Sequence, residues 1–253
     1  MPQASELHLC LKALHLSLAA ECYPQSAEEA RKENLSHEEF LLALVRRELE
    51  HRQENRTERW LHESQLPLEK NLEGFDRGRL PAKVGATLAT LLSGEFLQRA
   101  ENVLIFGNPG SGKTHLVCAL AQELIHRGRR IMFCPCQILV QDLLRAKREL
   151  SLAQELKRLA RYEALIIDDI GYVQQDRQEM EVLFALLADR YERRSLLITS
   201  NLPFSKWDSI FKDPMTTAAA IDRLVHHSTI VELNLPSYRL QAAKRGTAKG
   251  GEP

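Results

Sequence analysis

Between an apolar run, Asn102-Val103-Leu104-Ile105-Phe106, and a stretch with Leu116, Ala119, Leu120 and Leu124 at helical spacing lies the octet Gly107-Asn108-Pro109-Gly110-Ser111-Gly112-Lys113-Thr114. It fits the phosphate-binding pattern G-x-x-x-x-G-K-[ST] without substitution, and its parts have separate physical jobs. The glycines let successive backbone N–H groups turn toward phosphate oxygens, Lys113 reaches the outer phosphates, and the Thr114 hydroxyl ligates Mg²⁺. A helix that starts near Gly112 adds its unpaired N–H groups and its dipole to the attraction for a polyanion. The octet therefore demands a buried strand on one side and a helix on the other. Its expected cofactors are ATP and Mg²⁺.

The chain around the octet meets that demand. From about Asn102 to Leu235, short apolar runs alternate with helical stretches; Val103 to Phe106, Ile131 to Phe133, Ala164 to Ile167, Leu196 to Ser200 and Thr229 to Leu233 are the strand candidates. Such alternation predicts an α/β fold, a parallel sheet covered on both faces by helices. In open sheets of this kind ligands sit outside the carboxyl ends of the strands, where the octet, Asp168 and Asn201 would all lie.

Hydrolysis requires a metal-holding carboxylate and a group that orients water. Ala164-Leu165-Ile166-Ile167-Asp168-Asp169 supplies a strand that ends in two acids. Asp168 is the candidate Mg²⁺ ligand beside Thr114, and Asp169 the candidate that polarises the attacking water. Leu196 to Asn201 is another apolar strand with an amide at its polar end. Asn201 can donate to a γ-phosphate and accept from water, or else cap the turn before Pro203. Arg223, in the helical run Ala218 to Leu224, is the candidate arginine finger supplied to a neighbouring subunit. Arg190, Arg193 and Arg194 are weaker candidates, and a surface salt bridge is the competing role for each.

Residues from about Ser5 to Leu66 differ in character: charged, almost free of glycine and periodic in leucine, they predict two or three helices. Ser36 followed by Glu38 and Glu39 marks a helix start. Arg46, Arg47, Arg52, Arg56 and Arg59 could form a phosphate-contacting face, but Glu48, Glu50, Glu54 and Glu58 are interleaved. The residues alone favour an exposed, salt-bridged helix. Proline and glycine punctuate the chain from Leu66-Pro67 to Gly74, which predicts a helical domain over 1–68, an ATPase domain over 69–241 and a disordered basic tail over 242–253.

The 253 residues carry 34 Lys plus Arg and 34 Asp plus Glu, so net charge gives no global push toward nucleic acid. Five scattered cysteines argue against a disulfide framework and for a reducing compartment. Cys134-Pro135-Cys136 has no second pair at ligand spacing and reads as buried thiols. No signal or membrane-spanning stretch is evident, so the expected location is the cytoplasm.

Taken together, Gly107 to His115 (GNPGSGKTH), Leu165 to Gly171 (LIIDDIG), Asp189 to Leu202 (DRYERRSLLITSNL), Ala220 to His227 (AIDRLVHH) and Ser237-Tyr238-Arg239 resemble the IstB/DnaC branch of the AAA+ ATPases, and IstB most closely. Leu35 to Leu42 resembles that family's helical domain. The resemblance implies an AAA+ three-layer αβα fold without a separate lid, and a nucleotide-binding set that extends through His115. It assigns Arg223 to the trans-acting finger and Arg239 to a second nucleotide-sensing arginine. It also implies a bacterial homo-oligomer that assembles on duplex DNA in an ATP-dependent way and delivers the target site to a partner transposase. DNA contact by the Arg-rich helix then becomes the favoured reading. A DnaC-like helicase loader and a nucleotide-gated scaffold with little hydrolysis are the competing expectations.

Overall fold

The computed structural model describes residues 2–171, 177–207 and 214–238. They form two compact units that divide between Arg59 and Trp60.

The first unit is helical. Helices α1 (Pro2–Ala13), α2 (Ser17–Glu33) and α3 (His37–Glu63) follow one another, the last running past the division between units. The expected start of α3 is a reciprocal capping box: Glu39 N donates to Ser36 Oγ at 3.2 Å, and Ser36 N donates to Glu39 Oε2 at 2.8 Å. Those bonds hold the Glu39 carboxyl below its ordinary range. Asn34, in the left-handed region at φ 52°, ends α2.

The charged face of α3 is partly structural. Glu48 is buried and accepts from Ala19 N, in the first turn of α2, at 3.0 Å and from Arg52 Nε at 2.8 Å. It thus serves as a remote N-terminal cap for α2. Arg52 also donates to the carbonyl of His15. Arg47 donates to Ser26 Oγ at 3.1 Å and pairs with Glu29 at 3.6 Å. Arg47 and Arg52 therefore brace this unit.

The second unit holds a five-stranded sheet, β1 (Asn102–Gly107), β2 (Ile131–Pro135), β3 (Ala164–Asp168), β4 (Ser195–Ser200) and β5 (Ser228–Leu233), each at an expected place. All strand pairs are parallel, in the order β2-β3-β4-β1-β5. Side chains alternate between two cores, as the pleat requires. Met132, Cys134, Leu165, Ile167, Leu196, Ile198 and Leu104 enter one core with α7 (Cys136–Arg148), α9 (Arg177–Arg190) and α10 (Pro214–Val225). Ile131, Phe133, Ile166, Leu197, Val103, Ile105 and Val231 enter the other with α4 (Ala82–Leu91) and α6 (Lys113–His126). Two shorter helices, α5 (Glu95–Gln98) and α8 (Leu152–Leu159), complete the helical layers. Each fully buried aliphatic side chain contributes about 1.5–3 kcal/mol, so these strands form the stable centre of the unit.

The expected boundary at 68 is displaced, because residues 60–72 are packed into the second unit. Leu66 and Leu72 are buried in the core that contains α6, and Trp60 and Leu61 lie against it. Phe133 N donates to Ser64 O at 2.7 Å, and Arg130 pairs with Glu63 at 2.7 Å. Proline punctuation marked the end of a helix rather than the end of a unit. The expected tail, 242–253, lies outside the described residues.

The Glu48 cap gives a pH prediction. Burial opposes ionisation of Glu48, but the Ala19 and Leu18 N–H groups and Arg52 outweigh it and lower its pKa from 4.5. Its contribution is fully present above pH 4.5 and is lost as pH falls through the depressed folded value. Glu48→Gln is expected to cost about 1–2 kcal/mol at neutral pH and to flatten that dependence, as read by helical circular dichroism in denaturant titrations. Unchanged stability at neutral pH would contradict the capping role.

Candidate functional site

The loop after β1 is fixed by close packing. A Cβ on Gly107 would stand 2.4 Å from Leu233 O, and one on Gly110, at φ +78°, would stand 2.3 Å from Ser237 Oγ. Gly112, at φ +99°, is the N-cap from which α6 springs. Lys113 is buried and its ammonium donates to Gly107 O at 2.9 Å and Asn108 O at 3.1 Å. The loop therefore folds around its own cation, with Asn108 and Pro109 exposed at the rim. Ser111 Oγ is buried without a hydrogen-bond partner among the described residues, a polar group that a phosphate oxygen could satisfy.

Strand register brings the acids to the loop. Ile167 pairs with Ile198, so Asp168 stands next to Thr199 on β4. Thr199 Oγ1 donates to Asp168 Oδ1 at 2.6 Å and accepts from Asp169 N at 2.9 Å. Thr114 Oγ1 lies 3.0 and 3.1 Å from the two Asp168 oxygens. One carboxylate thus joins β3, β4 and the first turn of α6. Asp169 adopts φ +61°, an uncommon conformation for a residue with a side chain. Asn201 Oδ1 is buried and without a partner among the described residues, and a Cβ on Gly171 would approach it to 2.8 Å.

Pro109 to His115, Asp169 and Asn201 line a cleft of about 340 Å³. Its lining also includes Lys70, Gly74, Phe75, Asp76 and Arg79 from the segment before α4, with Leu235 and Tyr238. Sequence patterns read this segment only as a boundary. His115 fastens it: Nε2 donates to Asn71 O at 2.8 Å, and the ring meets Phe75 edge-on at 5.1 Å. Gln122 donates to Lys70 O at 3.1 Å. Arg79 donates to Pro236 O at 2.8 Å and lies 5.3 Å over the Tyr238 ring, while Tyr238 N donates to Gly110 O at 2.9 Å. Phe75 offers an apolar face beside Gly112, its Cε2 3.6 Å from where a Cβ would be. A phosphate-binding loop with an aromatic ring beside it suits a nucleotide. Thr199 belongs to no motif; the polar run Thr199-Ser200-Asn201 closing an apolar strand is its only signal in the sequence.

Arg223 is not part of this cleft. It sits on α10, donates to Ala219 O at 2.9 Å and lies 4.8 Å over the Phe184 ring of α9. Arg239 lies outside the described residues. Arg190 is unsuited to a finger role: it is 1% exposed, and its Nη atoms donate to Leu159 O, Tyr162 O and Ser195 O at 3.0–3.1 Å. Burial lowers its pKa to about 10. Arg193 and Arg194 are exposed; Arg193 approaches Asp189 at 3.9 Å and Arg194 donates to Ala160 O at 3.4 Å. Cys134 and Cys136 are buried thiols, and burial pushes Cys134 up to about 12.

The fold and the loop define a P-loop nucleotide-binding protein of the AAA+ class. In fold, the chain is similar to the DnaC helicase loader (TM-score 0.56, 16% identity, 65% of this chain and 96% of that one). It is likewise similar to AMPPCP-bound DnaA from Aquifex aeolicus (TM-score 0.57, 19% identity, 73% of this chain and 56% of that one). The chain belongs to the IstB-like ATP binding protein family, which matches residues 9–246. It is 41% identical to an insertion sequence ATP-binding protein of Sinorhizobium fredii, over 98% of this chain and 84% of the relative. It is 37% identical to the insertion sequence IS21 ATP-binding protein of Pseudomonas aeruginosa, over 93% of this chain and 88% of the relative. Among the described residues, no helix is long and apolar enough to cross a membrane.

Proposed function

We propose that this protein hydrolyses ATP at sites completed by a neighbouring copy, assembles on duplex DNA when ATP is bound, and delivers that DNA to a partner transposase. The observation that carries the reading is where the candidate residues lie. Lys113, Thr114, Asp168, Asp169 and Asn201 converge at one set of strand ends, while the arginine expected to act with them, Arg223, is held elsewhere on α10. The insertion-sequence relatives supply the biological setting.

In this reading the backbone from Gly107 to Gly112 cradles the phosphates and Lys113 exchanges its loop carbonyls for the outer phosphate oxygens. Thr114 and Asp168 present hard oxygen donors side by side, a set that suits Mg²⁺. They would hold it, and bound Mg²⁺ supplies charge neutralisation at the outer phosphates. Thr199 keeps the Asp168 carboxylate turned toward Thr114 and fixes the main chain of Asp169. Asp169 accepts the proton of the attacking water, and Asn201 orients that water against the γ-phosphate. Arg223 from the next subunit leaves its seat on Phe184 and stabilises the charge on the transferred group.

The divided site is tested by mixing. Arg223→Ala and Asp169→Asn are each expected to reduce phosphate release about a hundredfold or more. Their mixture is expected to recover activity, because some interfaces then combine an intact Asp169 with an intact Arg223. A mixture no more active than either variant would contradict a shared site.

Duplex binding is tested on α3. Arg46, Arg56 and Arg59 are exposed on α3 and are assigned to phosphate contact. With ATP, the chain is expected to form large complexes on duplex DNA by sedimentation or electron microscopy. Replacing Arg46, Arg56 and Arg59 by alanine is expected to weaken binding and lower the salt slope by about 1 per lost contact, leaving ATP binding intact. Capture of a replicative helicase without any complex on duplex DNA would favour the loader instead.

A further inference from the structure

We infer that Glu192, His226 and His227 form a binding site for a divalent transition-metal ion, Zn²⁺ above all, at the end of the sheet opposite the nucleotide cleft. Glu192 lies in the turn between α9 and β4; His226 and His227 lie between α10 and β5. His226 Nδ1 is 3.7 Å and His227 Nε2 is 4.0 Å from the same Glu192 Oε1, and a set of ligand atoms from the three residues lies within 4.8 Å of one another. These separations are too long for hydrogen bonds, yet close to the spacing around an ion. Tetrahedral sites with bonds of 2.0–2.1 Å place neighbouring ligand atoms about 3.3 Å apart. Reaching that spacing shortens the two Glu192–His separations by about 0.4 and 0.7 Å and the His226–His227 separation by at most about 1.5 Å, within the reach of exposed side-chain rotations. Two imidazoles and one carboxylate select zinc or a similar ion over Mg²⁺ or Ca²⁺, which prefer oxygen ligands alone.

The backbone beneath the cluster is fixed on both sides. Buried Asn102, the first residue of β1, joins the two turns: its N donates to His227 O at 2.7 Å, its Nδ2 to Leu224 O at 3.1 Å, and its Oδ1 accepts from Leu196 N at 2.9 Å. Buried Arg190 braces the other turn through Ser195 O, and Arg193 N and Arg194 N donate to Arg190 O at 3.0 Å. Glu192 holds φ +57° in that turn. Tyr191 Oη sits 2.8 Å from His226 Nδ1, so an arriving ion takes a lone pair that the phenol otherwise engages. All three ligand residues are exposed, which leaves the site open to solvent and to a water as fourth ligand. The cross-link would join the ends of α9 and α10, the two helices that carry Phe184 and Arg223.

The test uses the full chain stripped by a chelator and titrated with Co²⁺, read by visible absorption, and with Zn²⁺, read by calorimetry. One ion per chain is expected, with d–d bands of a low-coordinate N/O site and a rise in melting temperature that Mg²⁺ does not reproduce. His227→Ala and Glu192→Gln, both surface changes, are expected to weaken binding about tenfold or more with unchanged circular dichroism. Cys10→Ser with Cys22→Ser is expected to leave it intact. Absence of stoichiometric binding, affinity unchanged in His227→Ala, or a sulfur-to-cobalt charge-transfer band would each overturn the inference.

Discussion

The Asp168 carboxylate is the junction on which the cleft depends. It ends β3, receives the Thr199 hydroxyl from β4, and meets the Thr114 hydroxyl from the first turn of α6. Three elements that are distant in sequence are thereby registered at one point, beside a loop whose cation is already folded inward on Gly107 and Asn108 carbonyls. A charged group gathered with its donors in this way is pre-organised, so little rearrangement is needed when a ligand arrives. The rest of the second unit supports that junction. The parallel order β2-β3-β4-β1-β5 puts the strand ends side by side, and the two apolar cores fix their heights.

Much of this was legible in the sequence, for a local reason. The strands are short apolar runs, the octet carries its chemistry in consecutive residues, and Asp168 follows four apolar residues without a break. Features that depend on tertiary packing were not legible. The wall formed by Lys70 to Arg79 has no periodicity of its own and is held by His115, Gln122 and the Gly110–Tyr238 contact. Arg190 reads as a surface charge, yet it is enclosed among main-chain carbonyls that nothing in its neighbourhood announces. The division between units falls inside α3, where an unbroken Arg/Glu pattern conceals the change of environment at Trp60. The same pattern conceals Glu48, which differs from the other α3 glutamates only in what it meets.

The two ends of the sheet have different characters. At the carboxyl ends the polar groups converge inward on a cleft; at the amino ends Asn102 and Arg190 fasten turns that project Glu192, His226 and His227 outward. Arg223 lies on the helix that leads to the second cluster and is seated on an aromatic ring of α9. Such an arrangement separates the parts that hold a nucleotide from the part proposed to act on a neighbour's nucleotide. In the proposed function, assembly is the event that unites them and the nucleotide is the signal for it.

The most direct measurement of the central claim is the equilibrium affinity of the chain for ATP with and without Mg²⁺, compared between the parent and Lys113→Ala. One nucleotide per chain, tighter binding when Mg²⁺ is present, and loss of saturable binding in the variant are expected. Saturable binding of equal affinity in Lys113→Ala would contradict the claim.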